Sequence, residues 1–279
     1  MPQPQLATDT VWRKRLEDIE SDVSEIRLPN KADDLGQDKE WCEVEINGKR
    51  RRIRFHDYGR VFEVPGLYEQ IFYEELECCS PSYIANLLQS VVQEYGENLG
   101  DLRVLDLGAG NGMVGDELHD RGIDSIVGVD IIPEAKEATE RDRPEVYEDY
   151  RVADLTDCPE PEEHTLRQAD ANCLTTVAAC GFGDIPPLAF AKGLDLISTP
   201  GWLAFNIKED FLRERDTSGF SRLIRRLSHD GFIQMLCYRR YQHRVSVTGE
   251  PLFYVAVVAR KLKDLDEAIL ESLQEAENG

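Results

Sequence analysis

The stretch Val104-Leu105-Asp106-Leu107-Gly108-Ala109-Gly110-Asn111-Gly112-Met113-Val114-Gly115 decides the fold of this chain. A short run rich in Val and Leu enters a turn with glycine at every second position, and the turn opens a helix-length segment, Met113 to Asp120. Glycine is needed where the backbone takes torsions that a Cβ resists, or where a ligand must come against the main chain. Two ligand classes use such a turn. Gly110-Asn111-Gly112-Met113-Val114-Gly115 fits the GxGxxG pattern, in which a pyrophosphate rests on the helix N-terminus. Asp106 argues for the other class, because a fixed negative charge just before the first glycine repels a pyrophosphate and suits a cationic ligand or an ammonium group.

Working outward, Val127-Gly128-Val129-Asp130-Ile131 puts a second acid at the end of the next apolar run, where a carboxylate can accept two hydrogen bonds from ribose hydroxyls. Asp154, before Leu155, ends a third run, in reach of an adenine amino group. Short runs at Val104–Leu107, Ile126–Ile131, Leu174–Ala179, Trp202–Ile207 and Val255–Ala259, with a weaker one at Val152–Leu155, are separated by amphipathic segments of helix length. That alternation predicts βαβ units and a parallel sheet buried on both faces. Phe232–Val245 and Leu252–Lys261 are too close for a crossover helix, so the last pair must be an antiparallel hairpin.

Upstream, Trp12, Leu16, Ile19, Val23 and Ile26 form one apolar stripe of an N-terminal helix. The stripe either docks on the chain's own body or pairs with the same helix of a second copy as a homodimer. Glu43–Ile46 and Arg51–Phe55 flank Asn47-Gly48, a strong hairpin signal. Lys49, Arg50, Arg51, Arg52 and Arg54 make a cationic run there, either a dock for an anion or cross-strand partners of Glu40, Glu43 and Glu45. Helices are predicted over Leu67–Leu76 and Pro81–Tyr95, with a final amphipathic helix through Leu265, Ile269 and Leu273. The expected division is an extension over 1–80, a core domain over 81–263 and a C-terminal helix over 264–279.

Fifty-four Asp and Glu against 32 Lys and Arg give a net charge of −22. A chain so acidic is a poor tracker of phosphates or anionic lipid, so neither nucleic acid nor membrane is expected as partner. Seven cysteines form an odd set with no CxxC pair, which argues against a disulfide framework and a thiolate zinc site, and no metal is expected. With no apolar run of membrane-spanning length and no signal-like start, the expected location is the cytoplasm.

From about 81 to 263 the chain resembles the class I S-adenosylmethionine-dependent methyltransferases. Asp106–Gly112 resembles that family's first motif, Asp130 its second-strand acid and Asp154 its adenine-side acid. Thr176–Pro186, Tyr241–Arg244 and Phe253-Tyr254 are similar to a small-molecule or uncharacterised branch that includes the methyltransferase-like 27 proteins. The resemblance implies an α/β, Rossmann-like, doubly wound and mostly parallel seven-stranded sheet ending in an antiparallel hairpin, with the helix and β-hairpin extension before it. It implies S-adenosyl-L-methionine as cofactor, S-adenosyl-L-homocysteine as product and a small-molecule methyl acceptor. Asp106 would then sit by the methionine end, with Gly108, Ala109, Gly110, Asn111 and Gly112 lining the cofactor. Asp130 and Ile131 would hold the ribose, Asp154 and Leu155 would bracket the adenine, and Ala178 and Ala179 would lie near the transferred methyl. Tyr73, with Tyr68, lies on a segment that in such enzymes closes over the cofactor, though aromatic packing explains both equally well. The fourth-strand end carries Ala-Cys-Gly-Phe-Gly-Asp, not the Pro-Pro motif of adenine and glutamine methylating enzymes, which disfavours those substrates.

Candidates for a general base are His243, Asp184 and His56 with Tyr58. Two other readings stay open. A nicotinamide-dependent oxidoreductase would use the overlapping GxGxxG, and a binding module would keep the fold without catalysis.

Overall fold

A computed structural model describes residues 11–29, 36–180, 184–213 and 215–278. The extension opens with α1 (Val11–Asp18), followed by β1 (Val23–Arg27), β2 (Trp41–Ile46) and β3 (Lys49–Arg54), which form a three-stranded antiparallel sheet in that order. The helix is shorter than the stripe predicts. It stops at Asp18, and Val23 and Ile26 belong to β1, paired with Ile46 and Val44 of β2. Ser21-Asp22 is a poor helix segment, and β-branched Val23 and Ile26 gain more from the open edge of β2 than from another helical turn. What remains of the stripe is spent within the chain: Trp12 is buried against Tyr73, with ring centroids 5.5 Å apart.

The cationic run faces its neighbours. Arg52 pairs with Glu43 across the hairpin at 3.0 Å, and Arg50 lies between Glu45 and Glu25. Glu40 differs from the expectation. It is buried, takes the guanidinium of Arg244 on one oxygen and accepts the Val247 N–H on the other.

Next come α2 (Tyr58–Phe62), one turn of α3 (Leu67–Glu69) that continues as a π-helix over Gln70–Glu75, and α4 (Ser80–Glu94). The core then alternates: β4 (Arg103–Leu107), α5 (Met113–His119), β5 (Ser125–Asp130), α6 (Pro133–Asp142), β6 (Asp149–Val152), α7 (Glu160–Gln168), β7 (Cys173–Cys180), α8 (Pro187–Leu196), β8 (Gly201–Lys208), α9 (Phe220–His229), β9 (Ile233–Val245), β10 (Pro251–Lys261) and α10 (Glu267–Asn278). The seven strands run in the order β6-β5-β4-β7-β8-β10-β9, parallel up to β8, with β10 antiparallel to both β8 and β9. This is the α/β, mostly parallel sheet with the terminal hairpin that the sequence predicts. Strand side chains alternate between two cores: Leu105, Val127 and Leu174 pack toward α8 and α9, and Val104, Ile126 and Cys173 toward α4 and α5. No helix among the described residues is long and apolar enough to cross a membrane.

Besides the Glu40–Arg244 pair, extension and core are tied by a buried cluster around a second guanidinium. Arg143, just past α6, has no solvent exposure. It donates to Glu69 at 2.7 Å, to Asp116 at 3.1 Å and to the backbone carbonyl of Asn111 at 3.1 Å. Arg15 of α1 adds a second cation on Asp116 at 2.8 Å, and Asn111 donates its amide to Glu69 at 2.9 Å. Two cations thus balance two carboxylates, and the cluster joins α1, α3, α5, the glycine turn and the end of α6.

Removing one member of a buried, paired set strands the others, which costs about 3–5 kcal/mol. Arg143→Met should lower the urea-unfolding free energy by about that much. Arg143→Met combined with Glu69→Gln should recover part of it, because one stranded charge goes too.

Candidate active site

The glycine turn is fixed from both sides. Gly108, Gly110 and Gly112 all have positive φ. The Gly108 N–H donates to the Val129 carbonyl at 2.8 Å, holding the turn to β5, and the Gly110 carbonyl accepts the Tyr150 hydroxyl at 2.6 Å and the Thr139 hydroxyl at 3.1 Å. At Gly108 a Cβ would lie 2.7 Å from Ile185, whereas at Gly110 it would meet only the Phe62 ring at 3.4 Å. Gly108 therefore serves packing as well, and Gly110 presents bare backbone.

Over this turn, at the C-terminal ends of the parallel strands, lies a cleft of about 450 Å3. That is where an open α/β sheet places its ligand, at the point where strand order reverses on either side of β4. One end is built from Asp130 and Ile131 after β5 and from Asp154, Leu155 and Thr156 after β6. The other is built from Val177, Ala178 and Ala179 of β7 and from Asp184, Ile185 and Pro186 beyond it. The facing wall comes from the extension: His56, Tyr58, Phe62 and Tyr68. Gly181-Phe182-Gly183, within the stretch singled out after the fourth core strand, lies outside the described residues.

Asp130 is aimed by the main chain. One carboxylate oxygen accepts the Gly110 N–H at 2.8 Å and the other the Ile132 N–H at 3.0 Å, which leaves lone pairs on both for a ligand. Burial pushes its carboxyl upward, opposed by these N–H groups. Beside it Ile131 is 56% exposed, an apolar surface open to the cleft. Asp154 caps the short turn after it, accepting the Thr156 N–H at 2.8 Å and hydroxyl at 2.7 Å.

Ala178 and Ala179 reach the cleft through a bulge in β7. Pairing with β8 runs through Thr176↔Phe205 and resumes at Cys180↔Ile207, so three residues stand opposite one. Ala178 sits at φ +59°, and its N–H donates to Asn206 at 2.6 Å. Asn206, buried on β8, spends its amide on Ser80 at 3.0 Å and Tyr241 at 2.7 Å.

Six expected site residues do not line the cleft. Asp106 is 1% exposed and accepts from Thr175 at 2.7 Å and Tyr147 at 2.8 Å, so its carboxylate is held within the sheet below the turn. Burial pushes its carboxyl up to about 6, against those two hydroxyl donors. Ala109 packs against Ala135 and Ala138, and Asn111 and Gly112 lie beneath the turn against Glu69 and Arg143. Tyr73 packs on Trp12, and Tyr68 lines the cleft in its place. His243 is buried beside Ser80, Nδ1 to Oγ 2.5 Å, with its ring 4.1 Å from that of Tyr254. Burial and the Arg244 cation push its pKa well down, so it is a neutral core histidine away from the cleft.

Asp184 does line the cleft, with His56: His56 Nδ1 lies 3.6 Å from Asp184 Oδ1. Phe62 and Glu277 are cleft residues without a local sequence signal, since both come from segments far from the glycine turn. Among the described residues lining the cleft, Asp130, Asp154, Asp184 and Glu277 are acidic, His56 is the one base, and there is no Lys or Arg.

Residues 105–177 match the profile of a family described as a methyltransferase domain. No curated protein matches the chain. Among solved structures it is similar to a magnesium protoporphyrin IX methyltransferase from Synechocystis with bound S-adenosylmethionine, at 13% identity and a TM-score of 0.45, over 65% of this chain and 79% of that one. It is also similar to an S-adenosylmethionine-dependent methyltransferase from Mesorhizobium loti, at 14% identity and a TM-score of 0.45, over 63% and 96%. These likenesses are too distant to carry a residue's role across.

A carboxyl raised by burial makes the native state hold a proton that the unfolded chain, titrating near 3.9, has already lost. Between about pH 4 and 6 the unfolded state binds fewer protons, so Asp106 lowers stability as pH rises through that window, by up to about 3 kcal/mol. Asp106→Asn removes this term. Urea unfolding from pH 4 to pH 7 should show the variant gaining on the wild type by that order, and a constant difference would contradict the assignment.

Proposed function

We propose that this class I S-adenosylmethionine-dependent methyltransferase domain binds its cofactor across the glycine turn and methylates a small-molecule acceptor held beneath the N-terminal wall. The observation that carries the reading is Asp130: a strand-end carboxylate, fixed by two backbone N–H groups beside bare Gly110 and exposed Ile131. That donor set fits a ribose diol next to a flat apolar ring. When bound, the cofactor supplies a methyl group activated by a sulfonium. Asp130 holds the ribose, Ile131 and Leu155 flank the adenine, and Asp154 faces its amino group. Gly108 and Gly110 give the close backbone approach, while Ala178 and Ala179 form the small-residue wall of the methyl end. An acid-lined cleft without Lys or Arg among its described residues suits this cation and repels the pyrophosphate of a nicotinamide cofactor. The size of the cleft supports a small acceptor. Placement in the branch with the methyltransferase-like 27 proteins rests on the sequence likeness alone.

His56 with Asp184 takes the base role in place of His243. His56, with Nδ1 3.6 Å from Asp184, is the cleft's base for an acceptor that arrives protonated. The geometry asks the chain for alignment and exclusion of water, which Tyr58, Phe62 and Tyr68 provide from above.

Calorimetry with S-adenosylmethionine, S-adenosylhomocysteine, NAD and NADP tests the reading. The sulfonium pair should bind, and Asp130→Ala should weaken it by about tenfold or more, the loss of one charged hydrogen-bonded partner. Binding of NAD or NADP alone would overturn the proposal. In a screen of fractionated small metabolites, S-adenosylhomocysteine release should fall by about a hundredfold or more in His56→Gln. His243→Gln should lose stability and keep turnover per folded molecule. Cofactor binding with no release from any fraction would favour a binding module.

A further inference from the structure

The wall facing the glycine turn has a chemistry of its own. Tyr58 and Phe62 are stacked, with ring centroids 6.0 Å apart, and Tyr68 lies 5.3 Å from Phe62. Burial pushes the phenols of Tyr58 and Tyr68 up, so both rings stay neutral and offer π faces and hydroxyl groups instead of charge. Across from them stands Asp184, whose side chain is 29% exposed. In the methyltransferase reading Asp130 and Asp154 serve the adenosine, Asp184 is the acid that stands with His56 by the aromatic wall, and Glu277 is a further acid of the lining. Aromatic faces and a carboxylate together attract a cation and penalise an anion.

We propose that the acceptor is an amine that enters the cleft as a cation, held between Asp184 and the rings of Tyr58, Phe62 and Tyr68. This rests on the methyltransferase reading and narrows its acceptor class. The pairing of His56 with Asp184 has a purpose in that case. A carboxylate or thiolate acceptor arrives with its lone pair free and needs no base, whereas an ammonium must first lose a proton. The N–H bond breaks, its electron pair stays on nitrogen, and the proton goes to the His56 imidazole. Nitrogen then forms the new bond to the methyl carbon as the carbon–sulfur bond breaks, with that bond's electron pair left on sulfur.

Three probes of one shape separate charge from size: tetramethylammonium, tert-butanol and pivalate carry charges of plus one, zero and minus one. Each is titrated by ligand-observed NMR into protein saturated with S-adenosylhomocysteine. Tetramethylammonium should bind at least about tenfold more tightly than the other two. Asp184→Asn should remove most of that preference, and Tyr58→Leu should weaken tetramethylammonium by about fivefold, the scale of one cation–π contact. Both variants should hold S-adenosylhomocysteine within about twofold of wild type. Pivalate or tert-butanol binding as well as the cation, no binding of the cation, or a cation affinity unchanged in both variants would each overturn the amine assignment. Failure of S-adenosylhomocysteine to bind the wild type overturns the methyltransferase reading itself, and the acceptor class falls with it.

Discussion

A guanidinium cut off from water must find anions, and Arg143 finds them on two separate parts of the chain. Glu69 belongs to the extension and Asp116 to the first helix after the glycine turn, so one side chain links this part of the cap directly to the glycine turn. Its third bond, to the Asn111 carbonyl, is made to the turn itself. The cleft is therefore bounded by elements that share one electrostatic tie. Tyr68 lies one residue before Glu69, and thus the aromatic wall takes its position directly from that pair.

Most of the core was legible in the sequence because its signals are local. Alternating apolar runs and helical segments demand parallel crossovers, and a short Val247–Glu250 link leaves only a hairpin. Asp130, Ile131, Asp154, Leu155, Ala178 and Ala179 were legible as cleft residues for the same reason: they leave the ends of strands at the edge where such sheets bind ligands. Asp106 looks like one of that series, yet it does not line the cleft. It lies inside β4, opposite Gly128 and Thr175, so its side chain projects into a face of the sheet and not beyond its end. One pleat separates a cleft-lining acid from a buried one.

The cap was less legible, and the reasons are tertiary. Tyr68 and Tyr73 are five residues apart, a step that does not return to one helix face, and the π-helical turn shifts the phase again. Nothing local says which of the two faces the cleft. The apolar stripe from Trp12 to Ile26 has helical spacing throughout, yet β2 offers an edge that only the folded chain reveals, and the second half of the stripe takes it. His56 and Asp184 meet only because the extension folds back over the end of β7.

The bulge in β7 gives the Ala178–Ala179 wall of the cleft an uncommon origin. Alanine is too small to extend far from a strand, so the reaching is done by surplus backbone: three residues of β7 are fitted against one of β8, and the amide that this frees is taken by Asn206. The contour of that wall is consequently encoded as segment length more than as side-chain identity. Exchange of alanine for serine or glycine would alter its texture only. Loss of two residues between 176 and 180 would draw the strand flat and erase the wall, although every remaining side chain would be unchanged.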